Sequence, residues 1–254
     1  DHGFLLSEHG WWGKCRMPYY EEVSHVPLIV HHPDHVGRAG SRCGHLTQTI
    51  DLMPTFLELH GIPVPAEVTG RSILPALAED KPVREAAVFG VFSGPIGITD
   101  GRHVLYHYPP DITRDGLVEY TLAPAHMTAP FTMEELRTAR LVPPFDFTKG
   151  VPVLGIDATR EAKRVPNNDG LGFGDLGTRL FDLEEDPRQQ SPIENADVSA
   201  ALYDHLRREL RLHDTPAEIY RWYELNSQTS QGGTDEKISG NGDGDGAARK
   251  QRAG

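Results

Sequence analysis

The chain has 254 residues with 37 acidic against 25 basic side chains, a formal charge of −12, 38% hydrophobic residues and two cysteines. That length buries a core of ordinary size, in one large domain or two smaller ones. The acid excess argues against a nucleic-acid backbone or a polybasic membrane anchor, because phosphate neutralisation needs a basic surface. Cys15 and Cys43 allow at most one disulfide, so no disulfide framework organises the fold, and the compartment stays open between secreted or periplasmic and cytoplasmic. No apolar run is long enough to span a bilayer. The start at Asp1, without methionine or an apolar leader, predicts an internal start with any signal upstream.

In chain order, the β-branched run Val26 to Val30, ended by Pro33, predicts a strand buried on both faces, whose unpaired edge would limit solubility. Asp51 to Gly61 predicts a helix opened by a capping aspartate and stopped by glycine, packed through Leu52, Phe56, Leu57 and Leu59. Ala87 to Phe92 and His103 to Tyr108 predict strands. The Asp100-Gly101 turn and Pro109-Pro110 suggest antiparallel neighbours. Residues 111 to 179 predict mostly loop, with a helical hint at Met133 to Arg140 and an apolar run at Val151 to Ile156. Behind Asp197 as cap, Val198, Leu202, Leu206 and Leu210 predict a one-striped helix. Thr215-Pro216-Ala217-Glu218 predicts a further helix start, with the threonine as cap. Residues 226–254 hold one large apolar residue, Ile238, and predict a disordered tail.

The densest run of unusual residues is the opening one. Asp1-His2-Gly3 places a carboxylate and an imidazole side by side before a glycine, and so can present two metal ligands from a loop. Taken alone the tripeptide reads as a turn, Lys14 as a solvated lysine and Trp11-Trp12 as packing. Pro33 keeps His31 and His35 off one helical face, so His31-His32-Pro33-Asp34-His35 reads as a loop. His103 and His107 share one side of a strand, where alternation explains them as well as substrate contact does. The tail's Asn241-Gly-Asp243-Gly-Asp245-Gly246 opens like a calcium loop but has Arg252 where a bidentate glutamate is needed.

The order Asp1-His2-Gly3, Glu8-His9-Gly10, Trp12-Gly13-Lys14, Tyr20-Glu21-Glu22 and Val26-Pro27-Leu28 resembles the sulfatase family of the alkaline-phosphatase-like superfamily. Asp51-Leu-Met-Pro-Thr55, Thr69-Gly-Arg-Ser72 and Leu180-Phe-Asp-Leu-Glu-Glu-Asp-Pro187 with Asn195 resemble later motifs of that family. The resemblance covers residues 1–75 and 180–210 and is thin between them. It implies an α/β fold in which residues 1–99 form the C-terminal part of the large sheet domain. Residues 100–225 would then be a small antiparallel β-sheet and helix subdomain.

The resemblance further implies hydrolysis of a sulfate ester, with Asp1 and His2 on a divalent cation and Lys14 on the sulfate as the catalytic electrostatic clamp. His103 is added as a substrate contact from its strand position. Positive charge is wanted where negative charge develops during displacement. Calcium is the cation the sulfatase resemblance implies, although imidazole leans toward softer ions. A phosphonate monoester or phosphodiester hydrolase of the same superfamily, using manganese or zinc, is the alternative, and a non-catalytic truncated fragment is the other. The family's nucleophile motif, Cys or Ser followed by x-Pro-Ser-Arg and carrying formylglycine when it is cysteine, occurs nowhere in these residues. The resemblance places it upstream with two further metal-binding aspartates, so a missing N-terminal half would be needed to complete the site. No nucleic acid and no membrane span is expected among the partners.

Overall fold

The computed structural model describes residues 2–14, 18–123, 125–126, 129–159, 162–163 and 177–225. The tail from 226, with its calcium-loop-like run, lies outside them. Among the described residues no helix is long and apolar enough to cross a membrane.

The core is built on a four-stranded antiparallel sheet in the order β3 (Ala87–Gly90), β4 (Ile96–Thr99), β5 (His103–His107) and β9 (Arg179–Asp182). The register Ile98↔Leu105 and Leu105↔Leu180 puts apolar residues in a row across it. The sheet draws two strands from residues up to 99 and two from after it. Alternation along β5 sends Leu105 to one face and Val104 and Tyr106 to the other. On the first face Ile96, Ile98, Leu105 and Leu180 cluster with Leu202, Leu206 and Leu210 of α5 (Ala196–Leu212), and with Trp222 of α6 (Ala217–Trp222). Burying each such leucine stabilises the fold by about 1.5–3 kcal/mol. On the second face Val104, Tyr106 and Phe181 meet Tyr20, whose ring centroid lies 5.9 Å from that of Tyr106.

A three-stranded antiparallel sheet, ordered β6 (Val118–Thr121), β8 (Val153–Asp157), β7 (Arg140–Val142), occupies the stretch expected to be mostly loop. Its strands are three to five residues long, too short to show a period clearly. The helical hint is α4 (Met133–Thr138), started by a reciprocal cap. The Glu135 amide donates to Thr132 Oγ1 at 3.3 Å and the Thr132 amide donates to Glu135 Oε2 at 2.6 Å.

Three further expectations are corrected. Residues 26–30 form no strand, and Ile29 is 92% exposed, because the described residues offer no strand for this run to pair with and nothing to cover it. The helix expected over 51–61 runs as α2 (Leu52–Leu59) behind a 3-10 turn at Thr49–Asp51. It buries Asp51, Pro54 and Thr55, while Met53, Phe56 and Leu59 are exposed, so the polar side faces inward. The caps of the last two helices are shifted as well. Asn195, not Asp197, caps α5 by accepting from the Val198 amide at 3.1 Å. α6 starts after Pro216, its first turn closed by the Ile219 amide on the Pro216 carbonyl, with no side-chain cap from Thr215.

Candidate active site

The opening residues fold into a hairpin. β1 (Leu5–Leu6) pairs antiparallel with β2 (Trp12–Gly13) in the register Leu5↔Gly13, so Lys14 leaves the hairpin at the end where His2 enters it. The turn between them places Ser7 and His9 at φ of 97° and 53°, a left-handed backbone that costs roughly 1–2 kcal/mol per non-glycine residue. Packing holds it: the His9 ring stacks on Tyr20 with centroids 3.6 Å apart, and His9 Nε2 lies 3.5 Å from a Glu22 carboxylate oxygen. Glu8 accepts from the Leu6 amide within the turn. This bond and that of its own amide hold its carboxyl below the usual range.

Gly3 is where the hairpin meets α1 (Glu21–Ser24). Its amide donates to the Val23 carbonyl at 2.9 Å, and a Cβ at this position would sit 1.7 Å from the Glu22 carbonyl oxygen. The glycine after the histidine is thus required by close backbone approach, rather than by a turn of the chain away from the site.

Of the residues predicted to carry chemistry, Asp1 lies outside the described residues. His2 is exposed, with Nδ1 3.0 Å from the Gly3 carbonyl. Donating the Nδ1 proton there leaves the lone pair on Nε2, the tautomer that a metal-binding histidine uses, so the donor chemistry of His2 fits the implied cation. Lys14 is exposed and makes no hydrogen bond or ion pair with a described residue. The other described lysines all face acids: Lys81 faces Glu79, Lys149 lies 2.6 Å from Glu67, and Lys163 lies 3.7 Å from Asp115. His103 is placed on β5 with Nδ1 3.2 Å from Asp100 and Nε2 3.6 Å from Asp182, so a substrate contact would have to displace one of these carboxylates. His107 is a packing residue. Its Nε2–H donates to the Tyr223 carbonyl at 2.7 Å, Nδ1 accepts from the Tyr203 hydroxyl at 2.9 Å, and burial holds its pKa down.

The later motifs build a buried lock. Asp51 is enclosed and accepts from Arg84 Nε at 2.6 Å, from the Gln48 amide at 2.8 Å and from the Arg71 amide at 2.7 Å. Burial alone would raise its carboxyl; the Arg84 guanidinium and the two amides outweigh this and hold it below the usual range. Thr55 donates to the Asp51 carbonyl at 2.6 Å and accepts from the Ile73 amide at 3.0 Å. A Cβ on Gly70 would sit 2.1 Å from the Ile50 carbonyl oxygen. Beyond Arg84, Glu209 of α5 lies 3.8 Å from its guanidinium and 3.6 Å from that of Arg71, and His213 Nδ1 meets the Thr69 hydroxyl at 2.9 Å. The pattern Asp51-x-x-Pro54-Thr55 is therefore structural.

The model of the N-sulphoglucosamine sulphohydrolase C-terminal family matches residues 7–134, half of the chain. An N-acetylglucosamine-6-O-sulfatase of Bacteroides thetaiotaomicron is 36% identical over 107 residues, which is 41% of this chain and 19% of that protein. Human arylsulfatase K is 38% identical over 79 residues, 31% of this chain and 14% of that protein. The matched part is less than a fifth of either relative's length. Among solved structures, that of a candidate sulfatase from Bacteroides thetaiotaomicron superposes with a TM-score of 0.51 at 20% identity, covering 84% of this chain and 35% of that one, a likeness of fold.

Proposed function

Because the chain belongs to the N-sulphoglucosamine sulphohydrolase C-terminal family, we propose that it is the C-terminal part of a sulfuric ester hydrolase acting on a sulfated saccharide. The observation that carries this reading is the hairpin that brings Lys14, an ammonium without an acidic partner among the described residues, to the end where His2 stands. In a chain of charge −12, a lysine left so is available to an anion. Asp1 and His2 hold a divalent cation, calcium in this reading. When bound, the cation supplies positive charge beside the ester oxygen as negative charge develops. Lys14 would bind and orient the sulfate group. His9, Tyr20 and Glu22 keep the hairpin turn seated, and Gly3 lets it dock on α1.

The relatives named above are sulfatases, one of them for a 6-O-sulfated amino sugar, which supports the saccharide class. The imidazole of His2 among the ligands favours a second reading, a phosphonate or phosphodiester hydrolase with a softer ion. Steady-state rates of the full-length gene product on 4-nitrophenyl sulfate, glucosamine 6-sulfate and a phenyl phosphonate monoester separate the two. Turnover of the sulfates, lost with chelator and restored by calcium, is expected. Turnover of the phosphonate alone, restored by manganese or zinc, would replace the first reading by the second. The 254 residues by themselves lack the nucleophile motif and are expected to be inert on all three.

A further inference from the structure

Away from the hairpin, one set of side chains gathers metal-binding atoms without a role in the reading above. The thiol of Cys43, a ring nitrogen of His45 and a carboxylate oxygen of Asp80 all lie within 4.8 Å of one another. We propose that Cys43, His45 and Asp80 form a separate site for a thiophilic divalent ion, zinc foremost, which ties the segment ahead of α2 to the end of α3 (Leu74–Glu79).

The local backbone explains the convergence. Residues 41–48 carry no helix or strand, and the chain bends at His45, two residues after Cys43. Asp80 closes α3 in the left-handed conformation, at φ 59°. His45 Nε2 lies 2.8 Å from the Asp80 carbonyl oxygen and 3.2 Å from its Oδ1, so imidazole and carboxylate are already held together. The thiol is exposed and turns about a single bond.

The donor set selects the ion. One sulfur, one nitrogen and one oxygen suit zinc, whereas calcium and magnesium want oxygen throughout. Zinc–ligand bonds of about 2.0–2.3 Å in a tetrahedron place ligand atoms roughly 3.3–3.8 Å apart, so atoms no farther than 4.8 Å from one another need to close by at most about 1.5 Å. Three protein ligands leave the fourth position to water. Arg38, 3.1 Å from Asp80 Oδ1, competes for the same carboxylate and sets the affinity lower than the bare set would have. The sulfur of an ion here would come from Cys43, which variants at Cys43 and Cys15 tell apart from any ion near His2.

The test is a cobalt titration of the reduced, metal-free 254-residue chain, read by the thiolate-to-cobalt charge-transfer band and the visible bands of tetrahedral cobalt. One equivalent is expected to produce both, and zinc to displace it. The bands should vanish in C43S and persist in C15S. H45A and D80N should each weaken binding by at least about tenfold. Asn at position 80 tolerates the left-handed backbone, so D80N keeps the helix end. R38A, which removes the competitor from the carboxylate, should tighten binding. Absence of a charge-transfer band in the native chain, its survival in C43S, or its loss in C15S would overturn the proposal. So would an R38A variant that binds more weakly, which would show the arginine to be a support rather than a rival.

Discussion

Arg84 and Asp51 face each other with both side chains wholly enclosed, Arg84 Nε 2.6 Å from one carboxylate oxygen and a second guanidinium nitrogen on the other. The pair closes the turn that starts α2 and, through Glu209, reaches α5. Breaking a buried pair by removing one member leaves an uncompensated charge and costs about 3–5 kcal/mol. R84M and D51A are each expected to lose that much in urea unfolding, with the double variant less unstable than the sum. Additive losses would show the two side chains to be energetically independent.

The same pair sets an acid limit. The folded Asp51 carboxyl lies below its usual value near 3.8, so the stabilisation it contributes is fully present above that value and is lost as pH falls through the lower folded one. Unfolding free energy measured against pH should therefore fall on the acid side below about pH 4. In D51N this part of the slope should be missing.

His107 acts at milder pH. Burial lowers its folded pKa from 6.5, so the folded chain keeps the ring neutral while the unfolded chain protonates it. Stability is full above 6.5 and declines as pH falls below it, by at most about 1.4 kcal/mol per pH unit for one proton. H107Q should flatten the melting temperature between pH 6.5 and the onset of the acid limb. An unchanged profile would place the titration elsewhere, His213 being a half-buried imidazole whose pKa desolvation also lowers.

At Gly3 the prediction is steric. G3A drives a methyl group into the Glu22 carbonyl, so the hairpin must leave α1. Amide exchange at position 3, protected by its 2.9 Å bond to Val23, should rise while exchange in α5 is unchanged.

In the complete protein K14A is expected to lower kcat on a sulfate ester by about 10²–10³, the effect of removing one donor to developing charge. The exposed position predicts a melting temperature close to that of the parent. A parental kcat would remove Lys14 from the chemistry.

Some of this was written plainly in the residues. The four-residue repeat of Val198, Leu202, Leu206 and Leu210 is the inward stripe of α5, and the turn at Asp100-Gly101 joins antiparallel β4 and β5. Other parts were hidden for physical reasons. The run Val26 to Val30 has the composition of a central strand, yet strand formation depends on neighbours that local composition does not contain. Helix α2 misled because its buried side is polar, Asp51 and Thr55 being satisfied by Arg84 and by backbone amides from elsewhere in the chain. The cap Thr132-x-x-Glu135 carries its signature in sequence, but the three short strands around it do not. At the candidate site, the roles of Asp1, His2 and Lys14 rest on the resemblance, Asp1 lying outside the described residues. The support from His9, Tyr20 and Glu22, and the clash reserved by Gly3, needed three dimensions.

The segment Tyr19 to Glu21, on which the hairpin docks through Tyr20 and α1, rests on the second face of the central sheet. The Tyr106 hydroxyl donates to the Tyr19 carbonyl at 2.9 Å, and Gln189 donates to that hydroxyl while accepting from the Glu21 amide, both at 2.8 Å. A mutational screen scored on turnover alone would thus collect hits at Tyr106, Phe181 and Gln189. These carry no charge, and each would masquerade as a damaged catalyst when what has slipped is its footing.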